Sequence, residues 1–151
     1  MKQPNIEAAI KAYISEELTN RGYNYSLENF ILDVDEPYRA AILDFSVSYT
    51  RLGEKVGNSG FFCCINYVVS LQVPLSATTE EEARLESMHI QHGIVEALLK
   101  LERCQPVMRL EQINFLKSVV QDKYRSIEKP GALMLEILAS FELEYQEQFY
   151  V

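Results

Sequence analysis

The chain has no tryptophan, only two histidines and only three cysteines among its 151 residues. Cys63, Cys64 and Cys104 are an odd number without a C-x-x-C spacing, so they predict neither a disulfide framework nor a metal motif of that kind. Neighbouring strand residues point to opposite faces, and we therefore expect Cys63 and Cys64 to be reduced thiols on the two faces of one strand.

Long apolar runs and excess positive charge are also missing. No segment has a signal-peptide pattern or about 20 consecutive apolar residues, so we predict a cytosolic protein that does not span a membrane. The chain has 22 acidic and 14 basic residues, a formal net charge of −8. This balance disfavours specific nucleic-acid binding. It fits ordinary solubility, or a surface past which a polyanion slides without sticking.

The composition and length predict one domain over residues 1–151. Of these residues 48% are hydrophobic, and the length suits a single core. The first predicted element is an amphipathic helix with Asn5 as N-cap and Gly22 beyond its end. Its apolar residues at helical spacing are Ile6, Ala9, Ile10, Tyr13, Ile14 and Leu18.

Alternating residues predict the central strands. A short strand is expected near Asn29–Val34, and alternation in 41–50 and 61–73 predicts a long hairpin. The connection Leu52–Gly60 contains three glycines, but no helix follows to bind a phosphate, so we interpret it as a mobile hairpin tip.

The second half predicts a helix and two strands. Thr79 and Glu82 form a capping box for a helix that runs to about Leu101. Its predicted core-facing stripe is Leu85, Met88, Ile94, Val95, Leu98, Leu99 and Leu101. Strands are expected at Val107–Leu116 and at 133–145, separated by a charged connection of undefined form, Lys117–Pro130.

These elements predict an α+β fold, an antiparallel sheet of four to five strands packed against two helices in the order α-β-β-β-α-β-β. The last strand, of about 13 residues, would span about 40 Å, whereas usual strands have about 5–6 residues. A strand this long bends around its core or completes its pairing on another subunit. We therefore expect self-association.

One stripe of metal-ligand residue types occurs on the second helix, where Glu86, His89, His92 and Glu96 lie along one side. Di-iron bundles need Glu-x-x-His on two helices, and zincins need His-Glu-x-x-His, so neither motif is complete. We interpret the stripe as a solvent-facing or interface surface and expect no metal and no cofactor. A zinc titration that leaves the melting temperature unchanged would exclude the metal.

No catalytic motif is recognisable, so we expect no enzyme. The mid-strand cysteines lie in apolar surroundings that raise a thiol pKa, and Ser59 is not in a G-x-S-x-G sequence. Glu142 and Glu144 are expected on the solvated face of a strand rather than as an acid/base pair.

The layout resembles the tail terminator (tail completion) proteins of long-tailed bacteriophages. Three segments carry this resemblance: the opening helix Asn5–Tyr13, the hairpin Ala41–Val73, and the unit from Val69–Pro74 through Thr79–Glu82 into Ile94–Leu98. The connection 117–130 is longer than expected for that family.

The resemblance implies a virion structural protein of the tail or neck, assembled in the host cytoplasm. Family members form a homo-oligomeric ring, commonly a hexamer, that caps the tail tube and joins it to the head. Implied partners are copies of the chain, tube and connector proteins, and DNA that passes without specific binding. Candidate intersubunit or lumen residues are Asp44, Gly53, Glu54, Lys55, Asn58, Glu136, Glu142 and Glu144.

Two other interpretations remain open. The first is a related tail tube or head-tail connector subunit, which would polymerise or bind a portal ring. The second is a small dimeric α+β enzyme or ligand-binding domain with the sheet as pocket floor, where Tyr67, His89 and His92 supply the polar groups.

Overall fold

The computed structural model of the protein describes residues 2–22, 24–26, 40–75, 79–121 and 133–149. The elements in these ranges are α1 (Gln3–Asn20), β1 (Asn24–Ser26), β2 (Ala40–Val56), β3 (Gly60–Leu75), α2 (Glu80–Cys104), β4 (Arg109–Gln121) and β5 (Leu133–Gln148). The strands form one sheet in the order β1-β2-β3-β5-β4. The predicted α+β fold class, two helices and an antiparallel sheet, is confirmed for the four long strands; β1 is the parallel exception among the described strands.

The long antiparallel strands β3 and β5 form the centre of the sheet. They pair without interruption from Gly60 opposite Gln148 to Leu75 opposite Leu133. β2 and β4 flank them, also antiparallel, and each of these outer pairings contains two register shifts. The three-residue β1 runs parallel to the start of β2. The predicted strand Asn29–Val34 lies outside the described residues.

The core lies between the two helices and the face of the sheet on which alternate residues of β3 and β5 converge. Its strand residues, each at most 3% exposed, are Cys63, Ile65, Tyr67, Val69, Leu71, Val73, Leu135, Ile137, Ala139, Phe141, Leu143 and Tyr145. Burying one large apolar side chain contributes about 1.5–3 kcal/mol. The alternation of the sequence thus accounts for the principal source of stability in the domain.

Helix α1 covers this face with the stripe predicted for it, and Ile6, Ile10, Ile14 and Leu18 are its buried apolar residues. It begins at Gln3 with Lys2 as N-cap, so the predicted cap at Asn5 is wrong. The backbone N–H of Lys2 donates to both carboxylate oxygens of buried Glu147, at 2.9 and 3.2 Å. A carboxylate at the partly positive helix start replaces the side-chain cap that the sequence suggested.

Helix α2 begins as predicted, because Thr79 Oγ1 accepts a hydrogen bond from the backbone N–H of Glu82 at 3.3 Å. It continues to Cys104, three residues beyond Leu101. Its buried face consists of Ala83, Ser87, Ile90, Gly93, Ile94, Ala97, Leu98 and Leu101. The predicted stripe is therefore wrong for Leu85, Met88 and Leu99, which are exposed.

The strands of the hairpin are longer than the sequence pattern indicated. Only residues 57–59 form the turn, and β2 includes most of the connection that was predicted as a loop. In the same way β4 continues to Gln121, while residues 122–130 lie outside the described part. Neither described helix is long and apolar enough to cross a bilayer.

Candidate functional site

The sheet face that points away from the helices carries the predicted carboxylates. On β5, Glu136, Glu142 and Glu144 alternate with the buried core residues and therefore share this outer face. Glu142 lies opposite Asn66, and Glu144 lies opposite Cys64. The fold places these three predicted residues on one face of the sheet, whereas the side chain of Asp44 lies outside the described residues.

Glu142 is the centre of a hydrogen-bonded cluster on the outer face. The hydroxyl of Tyr49 donates to its carboxylate, and this bond, followed by a bond from the Cys64 thiol, lowers the pKa of Glu142. The bond to Glu142 likewise raises the pKa of Tyr49. Burial, and then the bond to Glu142, raises the pKa of Cys64 to about 11. The Cys64 thiol is thus protonated near neutral pH and is a poor nucleophile.

Cations on the flanking strands lie beside the carboxylates of β5. Lys117 Nζ on β4 is 2.8 Å from a carboxylate oxygen of Glu136. Across the sheet, Arg51 lies opposite Cys64 and Arg109 lies opposite Glu144. Exposed pairs of this kind contribute at most about 1 kcal/mol each. Their main consequence is electrostatic, because they offset part of the negative charge of this face.

The other predicted surface residues lie at the end of the β2–β3 hairpin. Gly53, Glu54 and Lys55 belong to β2 and Asn58 to the turn, and all four are exposed. A Cβ at Gly53 would lie 3.4 Å from the carbonyl oxygen of Phe62, in the stretch where the pairing of β2 shifts register. This end of the hairpin is therefore a paired ribbon that presents polar side chains.

Strand β2 has a long exposed stretch. All ten residues from 46 to 55 are exposed. One side of the strand pairs with β3, whereas the pairing of the other side with a described strand is limited to β1 at residues 40–42. Val47 and Leu52, which are 40% and 51% exposed, lie opposite Tyr67 and Cys63 of the core. Since paired residues share a face, both of these partly exposed apolar side chains lie on the helix side, and together they are here named the β2 patch.

The histidine and carboxylate stripe of α2 holds an arginine from the other helix. The Arg21 guanidinium Nη1 lies 2.7 Å from His89 Nε2, and its Nη2 lies 3.0 Å from Glu96 Oε2. Arg21 can lie across α2 because the residue between these two partners is Gly93. His89 and Glu96, two of the four residues predicted as metal-ligand types, thus link α2 to Arg21 at the end of α1.

The geometry of this histidine and carboxylate stripe does not favour a bound metal ion. Over the described ranges, no three His, Cys, Asp or Glu side chains are grouped so that they could hold a metal ion. Of the other two residues in the stripe, His92 is exposed and Glu86 is half-buried. A guanidinium already lies where a cation between His89 and Glu96 would bind.

The polar groups of the ligand-binding alternative do not converge. Tyr67 is completely buried in the core, and its hydroxyl donates to Glu7 Oε1 at 3.2 Å. His89 and His92 are exposed on α2. A groove of about 540 Å³ lies along α1 beside residues such as Ala8, Ala12 and Glu16, and none of the three predicted polar groups is among its described lining residues.

Helix α2 has a second apolar surface, whose leucine and methionine residues the sequence interpretation had assigned to the core. Leu85, Met88 and Leu99 are 57%, 45% and 43% exposed. Together with exposed His92 and half-buried Val95 they follow the spacing 85, 88, 92, 95, 99. This is the three-four alternation of a helix-packing seam. These five residues are here named the α2 stripe, and their heptad spacing was the signal that could have separated them from the core face.

Comparisons with known proteins give little further information. No protein-family model matches the chain, and no curated protein matches it. Among solved structures, a chain of the "Virion of native gene transfer agent (GTA) particle" is similar over 92% of this chain and 97% of that chain, with 13% sequence identity and a TM-score of 0.33. Values this low establish neither a shared family nor a shared function.

Proposed function

We propose that this chain is a structural subunit of a phage-like particle with the role of a tail terminator. In this proposal, copies of the chain form a closed homo-oligomeric ring that caps the tail tube and joins it to the head. Its partners are the tube and connector proteins, and DNA passes through without specific binding. The resemblance of the helix, hairpin and strand-to-helix segments to that family is the starting point.

The observation that carries the proposal is the exposed length of β2. Its 17 residues correspond to about 56 Å of strand, more than the core of a domain this small requires. Residues 46–55 are all exposed. No described strand pairs with the edge of β2 beyond its short pairing with β1, and such an edge is a template for intermolecular contact. A neighbouring subunit that covers this stretch removes the hazard of an exposed strand.

The electrostatics support passage of DNA rather than its capture. The formal net charge is −8, and the outer face of the sheet carries Glu136, Glu142 and Glu144 on its central strand β5. The described cations of this face, such as Lys117 and Arg109, lie beside carboxylates. Such a surface offers few unpaired cations to phosphate groups.

The described side chains also favour a structural role over catalysis. Cys64 has a raised pKa, and burial is the first cause that raises the pKa of Cys63. Glu142 is engaged by Tyr49. Glu142 also accepts a bond from the Cys64 thiol, but the raised pKa values of Tyr49 and Cys64 keep both groups protonated near neutral pH, so neither is activated as a nucleophile.

The test is a tube-growth assay viewed by negative-stain electron microscopy. Tail tube subunits from the same particle are polymerised with and without the purified chain. We expect tubes that stop growing and carry a ring at one end, with single rings when the chain is imaged alone. Growth of tubes from this chain alone would instead identify it as a tube subunit, and unaltered tube growth without end-bound rings would overturn the proposal.

A further inference from the structure

Helix α2 and strand β2 both expose large apolar residues that no described part of the chain covers. In the α2 stripe, Leu85, Met88 and Leu99 lie on the opposite side of the helix from core residues such as Ile94 and Leu98. An exposed row of large apolar residues on a helix usually marks a contact surface. The row extends over 15 residues, from 85 to 99, which is a rise of about 21 Å along the helix.

The β2 patch lies on the opposite flank of the domain. Helix α2 packs beside β4 and β5, at one end of the strand order β1-β2-β3-β5-β4. Val47 and Leu52 belong to β2, two strands away from β5 on the other side of β3. One molecule therefore presents two different apolar surfaces on opposite flanks, as a head-to-tail contact requires.

The charges around the two surfaces are complementary. Residues 80–86, around the start of the α2 stripe, include four glutamates and a single arginine. Lys55, which is exposed and lies opposite Phe61, follows Leu52 on β2. It lies on the same face as Leu52, because Phe61 and Cys63 share that face. Contact between the acidic end of the helix and Lys55 is favourable and fixes the direction of docking.

We propose that the α2 stripe of one subunit docks on the β2 patch of the next copy, with Leu85 and Met88 against Leu52 and the helix start near Lys55. The inference rests on the proposed function, since it names the contact that would close the ring. Because the two surfaces differ, each subunit uses one surface toward each neighbour. Repetition of this contact generates a ring if the rotation between subunits closes.

Two variants, each blocking one surface, test the contact. The first carries Leu85→Lys and Met88→Lys, which place cations opposite Lys55. The second carries Val47→Thr and Leu52→Glu, which keep a β-branched residue in the strand and place a carboxylate opposite the acidic helix start. All four positions are exposed, so circular dichroism should show folded proteins. Met108→Lys is the matched control, since Met108 is exposed and belongs to neither surface.

Native mass spectrometry then measures assembly of each protein and of an equimolar mixture. We expect each blocked variant alone to be a monomer under conditions where the wild type and Met108→Lys assemble. In the mixture, the intact α2 stripe of one variant meets the intact β2 patch of the other, so we expect the mass to double to that of two 17.4 kDa chains.

Other outcomes overturn the inference or the proposed function separately. Rings formed by either blocked variant alone, or a mixture of folded variants that stays monomeric, would overturn the docking contact and leave the ring proposal standing. Open chains of the wild type that both variants abolish would leave the contact standing and contradict the ring. A wild type that is monomeric under all conditions would contradict both.

Discussion

The side chain of Arg21 occupies the space above Gly93 that a larger residue at that position would need. A Cβ at Gly93 would lie 2.5 Å from Arg21 Nε and 3.1 Å from Cζ. The close approach of the end of α1 to the middle of α2 thus depends on the smallest side chain. It also explains why a helix tolerates a glycine in its interior, where alanine is preferred.

The first prediction is that Gly93→Ala and Arg21→Ala are energetically coupled. Alanine is favoured over glycine in a helix by about 0.8–1.0 kcal/mol, but in the wild type it displaces Arg21 from His89 and Glu96. Urea denaturation measures the free energy of unfolding of the wild type, the two single variants and the double variant. We expect Gly93→Ala to raise this free energy in the Arg21→Ala protein, and to raise it less in the wild type. Equal changes in both backgrounds would mean that Arg21 and Gly93 do not interact.

The second prediction compares neighbouring leucines on α2. Leu98 is 1% exposed, so Leu98→Ala should lower the free energy of unfolding by about 2–5 kcal/mol. Leu99→Ala should change it by less than about 0.5 kcal/mol, because Leu99 belongs to the exposed α2 stripe. Chemical denaturation at a concentration where the chain is monomeric measures both. Similar losses for the two variants would place Leu99 in the core and contradict the two-sided description of α2.

The third prediction concerns the pH dependence set by Glu142. The Tyr49 hydroxyl lowers the pKa of this carboxyl, so the bond stabilises the folded state above the ordinary carboxyl pKa. That stabilisation is lost as the pH falls through the lowered folded-state value. Tyr49→Phe should therefore raise the pKa of Glu142, measured by NMR titration of its side-chain carboxyl. Tyr13→Phe, which removes a hydroxyl elsewhere, should leave this titration unchanged, and an unchanged Glu142 in Tyr49→Phe would refute the assignment.

The fourth prediction concerns thiol reactivity. Cys104 is exposed, whereas Cys63 and Cys64 are buried, and the pKa of Cys64 is raised to about 11. At pH 8, iodoacetamide should modify Cys104 first, because the reaction requires an accessible thiolate. Peptide mass spectrometry after timed quenching gives the order of modification. Cys64 reacting as fast as Cys104 would contradict the protected site on the outer face of the sheet.

The sequence predicted well those elements whose buried apolar residues all lie on one face. β5 alternates from Leu135 to Tyr145, and its buried apolar residues all face the same core. On α1, the predicted stripe through Ile6, Ile10, Ile14 and Leu18 is buried. In both cases one face is apolar and the other is mostly polar, so the period alone identifies the element and its orientation.

The sequence interpretation failed where apolar residues occur on two sides or where a contact joins distant segments. On α2, Leu98 and Leu99 are chemically equal neighbours, and only the position of the sheet decides which one is buried. The bonds from Arg21 to His89 and Glu96 span 68 and 75 residues, and no local pattern encodes them. The glycines of 52–60 suggested a loop, but pairing with β3 extends β2 through Gly53.

The most direct test of the central claim is the mass of the assembled protein, measured by native mass spectrometry of the purified chain at high concentration and in the presence of tail tubes. The ring proposal predicts one closed species whose mass is a fixed whole-number multiple of 17.4 kDa, and the same species bound at tube ends. A chain that remains monomeric in both conditions would contradict it.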